Sequence, residues 1–375
     1  MNGEIEIKRY ILRPESKKDA IEMQKEKGEK AVIPLDEYLK INKLPFKMTP
    51  ELMVSVAMWG QSQSSYQEAE EAILRAHQIQ INDDTIRAVT NYIGSIVYQE
   101  DCRVAHESYD RLNSGKLELP VDKKKGILYI EADGAHVNTR SKAEDGSSWR
   151  ENKLGIVFSS DNIYTWTNAK GEKQRQINKR EYVSYIGSAE QFKKHLFSCA
   201  LKNGYGKYER TILISDGATW IRNMREELFP DAQQILDYYH LCENVNTFAK
   251  YLFGMEPSQY STWANDICAL LKASKFNKVL DDLKFIEQPS ACPVDLYGYI
   301  SNNIDNIDYA NYIQNGFFIG SGAIESGNKS VLHQRLRQSG MRWNVNSAQY
   351  LLTLRSKYKS GLWSKEVHSL ILSLF

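Results

Sequence analysis

The chain has 375 residues, of which 42% are apolar and 25% charged, with a formal net charge of +1. This is the composition of an ordinary soluble globular protein of two or three units, and it excludes a disordered or fibrous chain. No run approaches the roughly 18 apolar residues of a membrane span, and Met1 to Tyr10 carries Glu and Lys where a signal peptide needs an apolar stretch, so a cytoplasmic location is expected.

Cys102, Cys199, Cys242, Cys268 and Cys292 are scattered without a CxxC pair and read as reduced thiols. Charge is unevenly spread. From Ser326 to Phe375 eight cations face the single acid Glu366, a net +7 on which a polyanion could dock.

In chain order, Gly3 to Leu12 alternates like a short strand that begins in mid-element, so further sequence ahead of it is expected. Ser16 to Lys30 is a charged run, a solvated loop or helix face. Leu52 to Trp59, Tyr66 to Ile79 and Asp83 to Val97 carry apolar residues at helical spacing, with Asp83 or Asp84 as the cap of the last. The turn at Gln78 to Asn82 has helix-turn-helix length, with plain helical packing as the alternative.

Beyond Pro120 the pattern changes. Gly126 to Glu131, Leu154 to Ser159 and Ile163 to Asn168 read as three successive strands, Ala189 to Leu201 as a helix and Thr211 to Ser215 as a buried strand. A helix around Ile221, Met224 and Leu228 and a strand at Ala232 to Leu236 follow. That is the order of a ribonuclease-H-like sheet. His240 to about Tyr312 is helical in pattern, and the last core helix arrives only at Ala323 to Arg337. The expected fold is α/β: a ribonuclease-H-like catalytic core, a mixed sheet flanked by helices, interrupted by an all-helical insertion and preceded by a mainly helical region. The expected divisions are 1–120, 121–240, 241–315 and 316–375, the last holding the returning core helix and a basic tail.

Asp133-Gly134 and Asp216-Gly217 each follow an apolar strand run. Neighbouring strands lie about 4.8 Å apart, so two carboxylates at their ends would face each other across a gap that a cation could fill; without it, one would tend to hold a proton. The glycines would let the chain turn away at once. Glu325, in the first turn of a helix capped by Ser321 or Gly322, supplies a third acid. Three hard oxygen ligands with open positions suit Mg2+, and two such ions about 3.5–4 Å apart can serve in-line displacement at phosphorus. Each Asp-Gly alone would more often be a turn; the combination with Glu325 in this fold order favours the site.

Asp237 and His240, three apart after the fifth strand, could tie the helical insertion to the sheet or position a nucleotide, while a plain capping role for His240 is the alternative. Imidazole suits Mg2+ poorly, so neither is read as a ligand. Arg335, Arg337 and Arg342 lie just beyond Glu325 as candidate DNA contacts through bidentate phosphate binding. Trp343 could stack on an unpaired base or belong to the core.

Together, Asp133-Gly134, Asp216-Gly217-Ala218-Thr219-Trp220-Ile221, Phe229-Pro230-Asp231-Ala232, Ile235-Leu236-Asp237-Tyr238-Tyr239-His240, Gly320-Ser321-Gly322-Ala323-Ile324-Glu325-Ser326, Arg335-Leu336 and Ser339-Gly340-Met341-Arg342-Trp343 resemble the DDE transposases of the bacterial ISKra group. That group is similar to the wider Mutator-like class, which shares an acid-x-x-His element after the second Asp. The resemblance runs from about Pro34 to Lys357. It implies an insertion-sequence transposase that cuts and joins DNA with two Mg2+ ions, for which Mn2+ can substitute, held by Asp133, Asp216 and Glu325, with Asp237 and His240 as accessory residues. Expected partners are double-stranded DNA, as terminal inverted repeats and target, and further copies of the chain on paired ends. Family members are expected to begin with more DNA-binding sequence, so a truncated, inactive DNA-binding remnant is the alternative. A nuclease of another kind on the same fold would not usually need so large an insertion before its last acid.

Overall fold

The computed structural model describes residues 11, 13–27, 34–38, 43–143, 146–254 and 257–375. The strand expected at Gly3 to Leu12 therefore lies outside the described residues but for Ile11. Helices α1 (Lys17–Lys27) and α2 (Pro34–Tyr38) come first, α1 falling in the charged run. Helix α3 (Pro50–Ser62) starts where Thr49 caps the Leu52 amide and Pro50 takes the first turn, a position that needs no N–H. Helix α4 (Tyr66–His77) is capped by Ser65, whose hydroxyl accepts from Glu68 N.

Helix α5 (Asp83–Asn113) is capped by Asn82, which accepts from Thr85 N at 2.8 Å. Asp83 and Asp84, expected as caps, instead sit in the first turn, where their charge favours the helix N-terminus. The helix spans 31 residues rather than ending at Val97, because Arg103 pairs with Glu100 and Glu107 along its charged second half. Ile73, Ile86, Val89 and Ile93 of α4 and α5 share one core with Met53 and Ala57 of α3 and with Leu354, Val367 and Ile371 near the carboxyl end. The turn at Gln78 to Asn82 thus joins two helices packed in one core, an arrangement common to plain helical packing and to a helix-turn-helix.

The sheet has five strands in the order β5-β2-β1-β6-β7: β1 (Lys124–Asn138), β2 (Trp149–Ser159), β5 (Glu181–Ile186), β6 (Tyr208–Ser215) and β7 (Gln233–Leu236). Strand β2 runs antiparallel to β1 and β5, whereas β6 is parallel to β1 and β7. This mixed order is compatible with the ribonuclease-H-like arrangement expected. One strand was misassigned. The run from Ile163 forms β3 (Ile163–Thr167), which pairs only with β4 (Lys173–Ile177) in a separate hairpin, and the third sheet strand is β5.

Alternation divides β1 between two layers. Leu128, Ile130 and Ala132 join Leu213 in the core formed with α6 (Ala189–Lys202) and α7 (Thr219–Leu228), through Phe192, Leu196, Ile221 and Met224. Tyr129, Ala135 and Val137 lie in the opposite core, with Ile156, Ile212 and Ile235. Glu131 and Asp133 share that second face by register.

The helical segment after β7 comprises α8 (Tyr238–Phe253), α9 (Pro257–Lys272), α10 (Phe276–Leu283), α11 (Leu296–Ser301) and α12 (Tyr309–Gln314). It grips the strand ends it interrupts: Tyr299 OH donates to Asp216 O at 2.6 Å and Tyr309 OH to Leu236 O at 3.0 Å. The chain then returns as α13 (Gly322–Gly327), a π-helical stretch Asn328–His333 and α14 (Gln334–Leu336). Helix α15 (Val345–Lys359), a second π-helical stretch Trp363–His368 and α16 (Ser369–Leu372) complete the fold. A π stretch leaves carbonyls out of the usual ladder, and buried Arg355 donates to two of them, Ser330 O and Val331 O, and to Gln61 O of α3.

Two predictions follow from this packing. At Gly94, where α5 crosses α15, an added Cβ would lie 2.8 Å from Tyr350 Cβ and 2.9 Å from its carbonyl oxygen. Gly94→Ala, which in an exposed helix would stabilise by about 1 kcal/mol, is expected to destabilise by ~1–3 kcal/mol in urea unfolding. His195 of α6 is buried and stacked on Tyr185, and burial, aided by nearby cations, pushes its pKa down to about 4. Because the unfolded chain takes up this proton first, stability is full above about pH 6.5 and is lost as pH falls towards 4. His195→Gln should flatten that loss, so Tm measured across this range should fall less steeply than in the wild type.

Candidate active site

The site is built on the second face of β1 and the parallel strand beside it. Asp133 does not close its strand, as the sequence reading had it: β1 continues to Asn138, with Asp133 opposite Leu154 of β2. What ends is the pairing with β6, whose last register match is Glu131 with Ile214. Asp133 therefore lies just past the point where β1 and β6 part, and Asp216 follows the last residue of β6. Gly217, at φ +87°, does make the expected turn. Gly134 does not; it lies in the strand and leaves room for Glu151, whose Oε1 would be 2.4 Å from an added Cβ.

Each acid has its own anchoring. Asp133 Oδ1 accepts from Gly134 N and Oδ2 from Asn328 Nδ2, both at 2.7 Å. Asp216 Oδ1 accepts from Ala218 N at 2.9 Å at the start of α7. Glu325 is exposed in the first turn of α13. Burial raises the Asp133 pKa, and the Asp216 charge pushes it further the same way, while His240 and Asn328 oppose it. Glu325 is also raised, by burial and then by Asp237, Glu243 and Asp133. Asp133 thus lies near Asp216 on one side and near Glu325 on the other.

Hard carboxylate oxygens that repel one another fit a divalent cation in donor kind. They do not form a closed ligand cage: among the described residues, no group of three or more His, Cys, Asp or Glu side chains is gathered to hold a metal ion.

Asp237 is buried and structural in its contacts. Its Oδ1 caps α8 through Tyr239 N and His240 N, and its Oδ2 accepts from both the amide and the hydroxyl of Ser321. It ties the start of the insertion to the segment that returns after it. Ser321 accordingly spends its hydroxyl on Asp237 and does not cap α13 through its side chain. His240 is part-exposed, 3.6 Å from Glu243, and close enough to Asp133 and Glu325 to favour their charged forms.

Glu131 was missed. It is buried, accepts from Ile324 N at 2.9 Å and so fixes the turn that presents Glu325. Burial pushes its pKa up to about 8. The sequence signal was a glutamate ending an apolar strand run, two residues before Asp133 and hence on its face.

The expected DNA contacts divide. Arg335 is 1% exposed, held between the Tyr66 and Trp343 rings at 4.6 and 5.2 Å, so it is part of the core and not a surface contact. Trp343 is part-buried, donates to Leu336 O, and its backbone pairs with Asn138 and Arg140, which favours the core reading. Arg337 and Arg342 are exposed. They meet a group absent from the sequence reading: Arg337 lies over the Trp149 ring, Arg140 Nε donates to Arg342 O, and Arg150 donates to Lys142 O. The far ends of β1 and β2 thus carry a cationic ridge with a half-exposed tryptophan in it.

Part of the basic tail is spent inside the fold. Lys357 pairs with Asp101 and Glu366, and Arg355 with backbone carbonyls. No described helix is long and apolar enough to cross a membrane, and the five cysteines are free thiols.

No curated protein matches the chain at a significant level. Residues 23–369 match the family described as Uncharacterised protein family (UPF0236), which is associated with insertion-sequence transposase-like proteins. With a match over most of its length, the chain belongs to the UPF0236 family.

Proposed function

We propose that the chain is a DDE transposase of the ISKra group, built on a ribonuclease-H-like core, that hydrolyses and rejoins phosphodiester bonds at the ends of its own insertion sequence. What supports this reading is that Asp133 and Asp216, on adjacent parallel strands, lie near enough to influence each other, and that Glu325, from a helix more than a hundred residues later, lies near Asp133. Asp133, Asp216 and Glu325 would hold Mg2+ or Mn2+, which when bound activates a water or a 3′-hydroxyl and stabilises the leaving oxygen.

The chain's own residues have distinct tasks in this reading. Glu131 and Asp237 accept backbone donors and set the position of α13, and hence of Glu325. Asn328 orients the Asp133 carboxylate. Arg140, Arg150, Arg337 and Arg342 on the ridge would take phosphates of a duplex lying across the end of β1 and β2, with guanidinium forks suited to that anion. The second reading, a DNA-binding remnant without catalysis, is favoured by one observation, the lack of a gathered metal-ligand group among the described residues.

Purified protein with Mg2+ or Mn2+ and a labelled duplex carrying the repeats that flank its gene separates the two. Nicking is expected, and Asp133→Asn, Asp216→Asn and Glu325→Gln should each lower it by at least about 10³-fold while leaving DNA binding in place. Cleavage that survives Asp133→Asn refutes the assignment; binding without cleavage in either metal selects the remnant. On the ridge, Arg140→Ala and Arg342→Ala should weaken duplex binding regardless of sequence. Each lost phosphate contact should reduce the slope of log K against log salt by about 0.9, measured by fluorescence anisotropy.

A further inference from the structure

The hairpin of β3 and β4 has no part in the reading above. One face of it is anchored to the protein: Ile163 and Ile177 pack against the core of the sheet, and Arg175 donates to Gly316 O and lies over the Phe318 ring. The other face, by the two-residue period of a strand, presents Tyr164 and Trp166, with Gln176 and Gln174 directly across from them. The two rings stack on each other, 5.8 Å apart and 20° from parallel, yet remain 58% and 38% exposed. Large rings are rarely held side by side in water without a use for the surface.

The surroundings are cationic. Lys170 and Lys173 at the tip and Lys179 at the base are exposed, and no described acid lies within ion-pair distance of them. Of the two acids of the hairpin region, Asp161 is paired with Lys124, and Glu172 at the tip accepts a hydrogen bond from the neutral Asn168 amide. A cleft of about 340 Å³ joins Ile177 at the hairpin base to Gly322 and Ala323 at the start of α13, with Glu131 in its wall.

We propose that this outer face is a binding platform for an unpaired DNA strand. Bases would stack on Trp166 and Tyr164, the glutamine amides would meet base edges, and Lys170 at the tip would neutralise the backbone; stacking of this kind tolerates any sequence because every base has a π face. The cations favour a polyanion over the neutral sugars that also stack on aromatic rings. The platform extends the proposed function to strands opened at the cut ends, but the binding itself requires no catalysis.

The test is anisotropy with a short labelled single strand and its duplex, in EDTA so that no cleavage intervenes. The double variant Tyr164→Ala/Trp166→Ala should lose about 10-fold or more in single-strand affinity and change duplex affinity less than about 2-fold, with an unaltered thermal melt because the anchored face is untouched. Tyr164→Phe/Trp166→Phe should restore binding. Lys170→Gln should lower the single-strand salt slope by about 0.7. Unchanged single-strand affinity in the alanine pair, or an equal loss on duplex, overturns the proposal, as does loss of binding to a soluble glucan in place of DNA. Absence of metal-dependent nicking would sink the transposase reading while leaving these outcomes to be read separately.

Discussion

The Asp237 carboxylate accepts four hydrogen bonds, two from the start of the helical insertion and two from Ser321 at its end. An excursion of 84 positions thus begins and closes on one buried side chain. Closing a flexible loop of that length costs about 4 kcal/mol beyond a constant, whereas each hydrogen bond to a charged group contributes ~1.5–3 kcal/mol. The two from Ser321, with the backbone bond from Tyr238 N to Ile319 O, span the closure and offset it. Together with the Glu131 carboxyl that accepts from Ile324 N, they fix Glu325 relative to the sheet.

The acids at this end of the sheet fall into two kinds. Glu131 and Asp237 are buried and answered by backbone N–H groups of the segment they hold, as buried carboxyls must be. Asp133, Asp216 and Glu325 are at least partly open to solvent; burial first, and neighbouring carboxylates after it, push the pKa values of Asp133 and Glu325 up. A protein gains no stability from crowding carboxylates beside one another. The arrangement makes physical sense when an external positive charge is its counterpart, and the buried pair then serves as the frame that keeps the open trio in register.

Much of this was legible in the sequence because apolar runs and helical periods report burial directly. Strands β6 and β7, helix α6 and the long helical insertion were all placed from such patterns. The errors have physical causes. Asp133-Gly134 looks like a turn, but β1 continues as a ribbon with β2 in which only alternate residues, Ala135 and Val137, are buried. Ile163-Tyr164-Thr165-Trp166 has strong strand propensity, and propensity does not say which sheet a strand joins. Arg335 was read as a surface cation because charge implies solvent, yet a guanidinium can be enclosed between two rings. The ridge was invisible because its members, Arg140, Arg150, Arg337 and Arg342, come from places nearly two hundred residues apart.

That last point changes where a polyanion would be met. Counting charge along the chain assigns the positive field to the carboxyl-terminal tail, but the fold spends Arg335, Arg355 and Lys357 on rings, carbonyls and carboxylates. With a net charge of only +1, long-range attraction is weak and affinity must come from local clusters within about a Debye length, ~8–10 Å. The outward cations of the ridge come from the loop after β1 (Arg140), from β2 (Arg150) and from the returning segment (Arg337 and Arg342), beside the end of β1 that lies beyond Asp133. A polyanion would therefore meet cations that the fold gathers from distant segments, and not one continuous basic run.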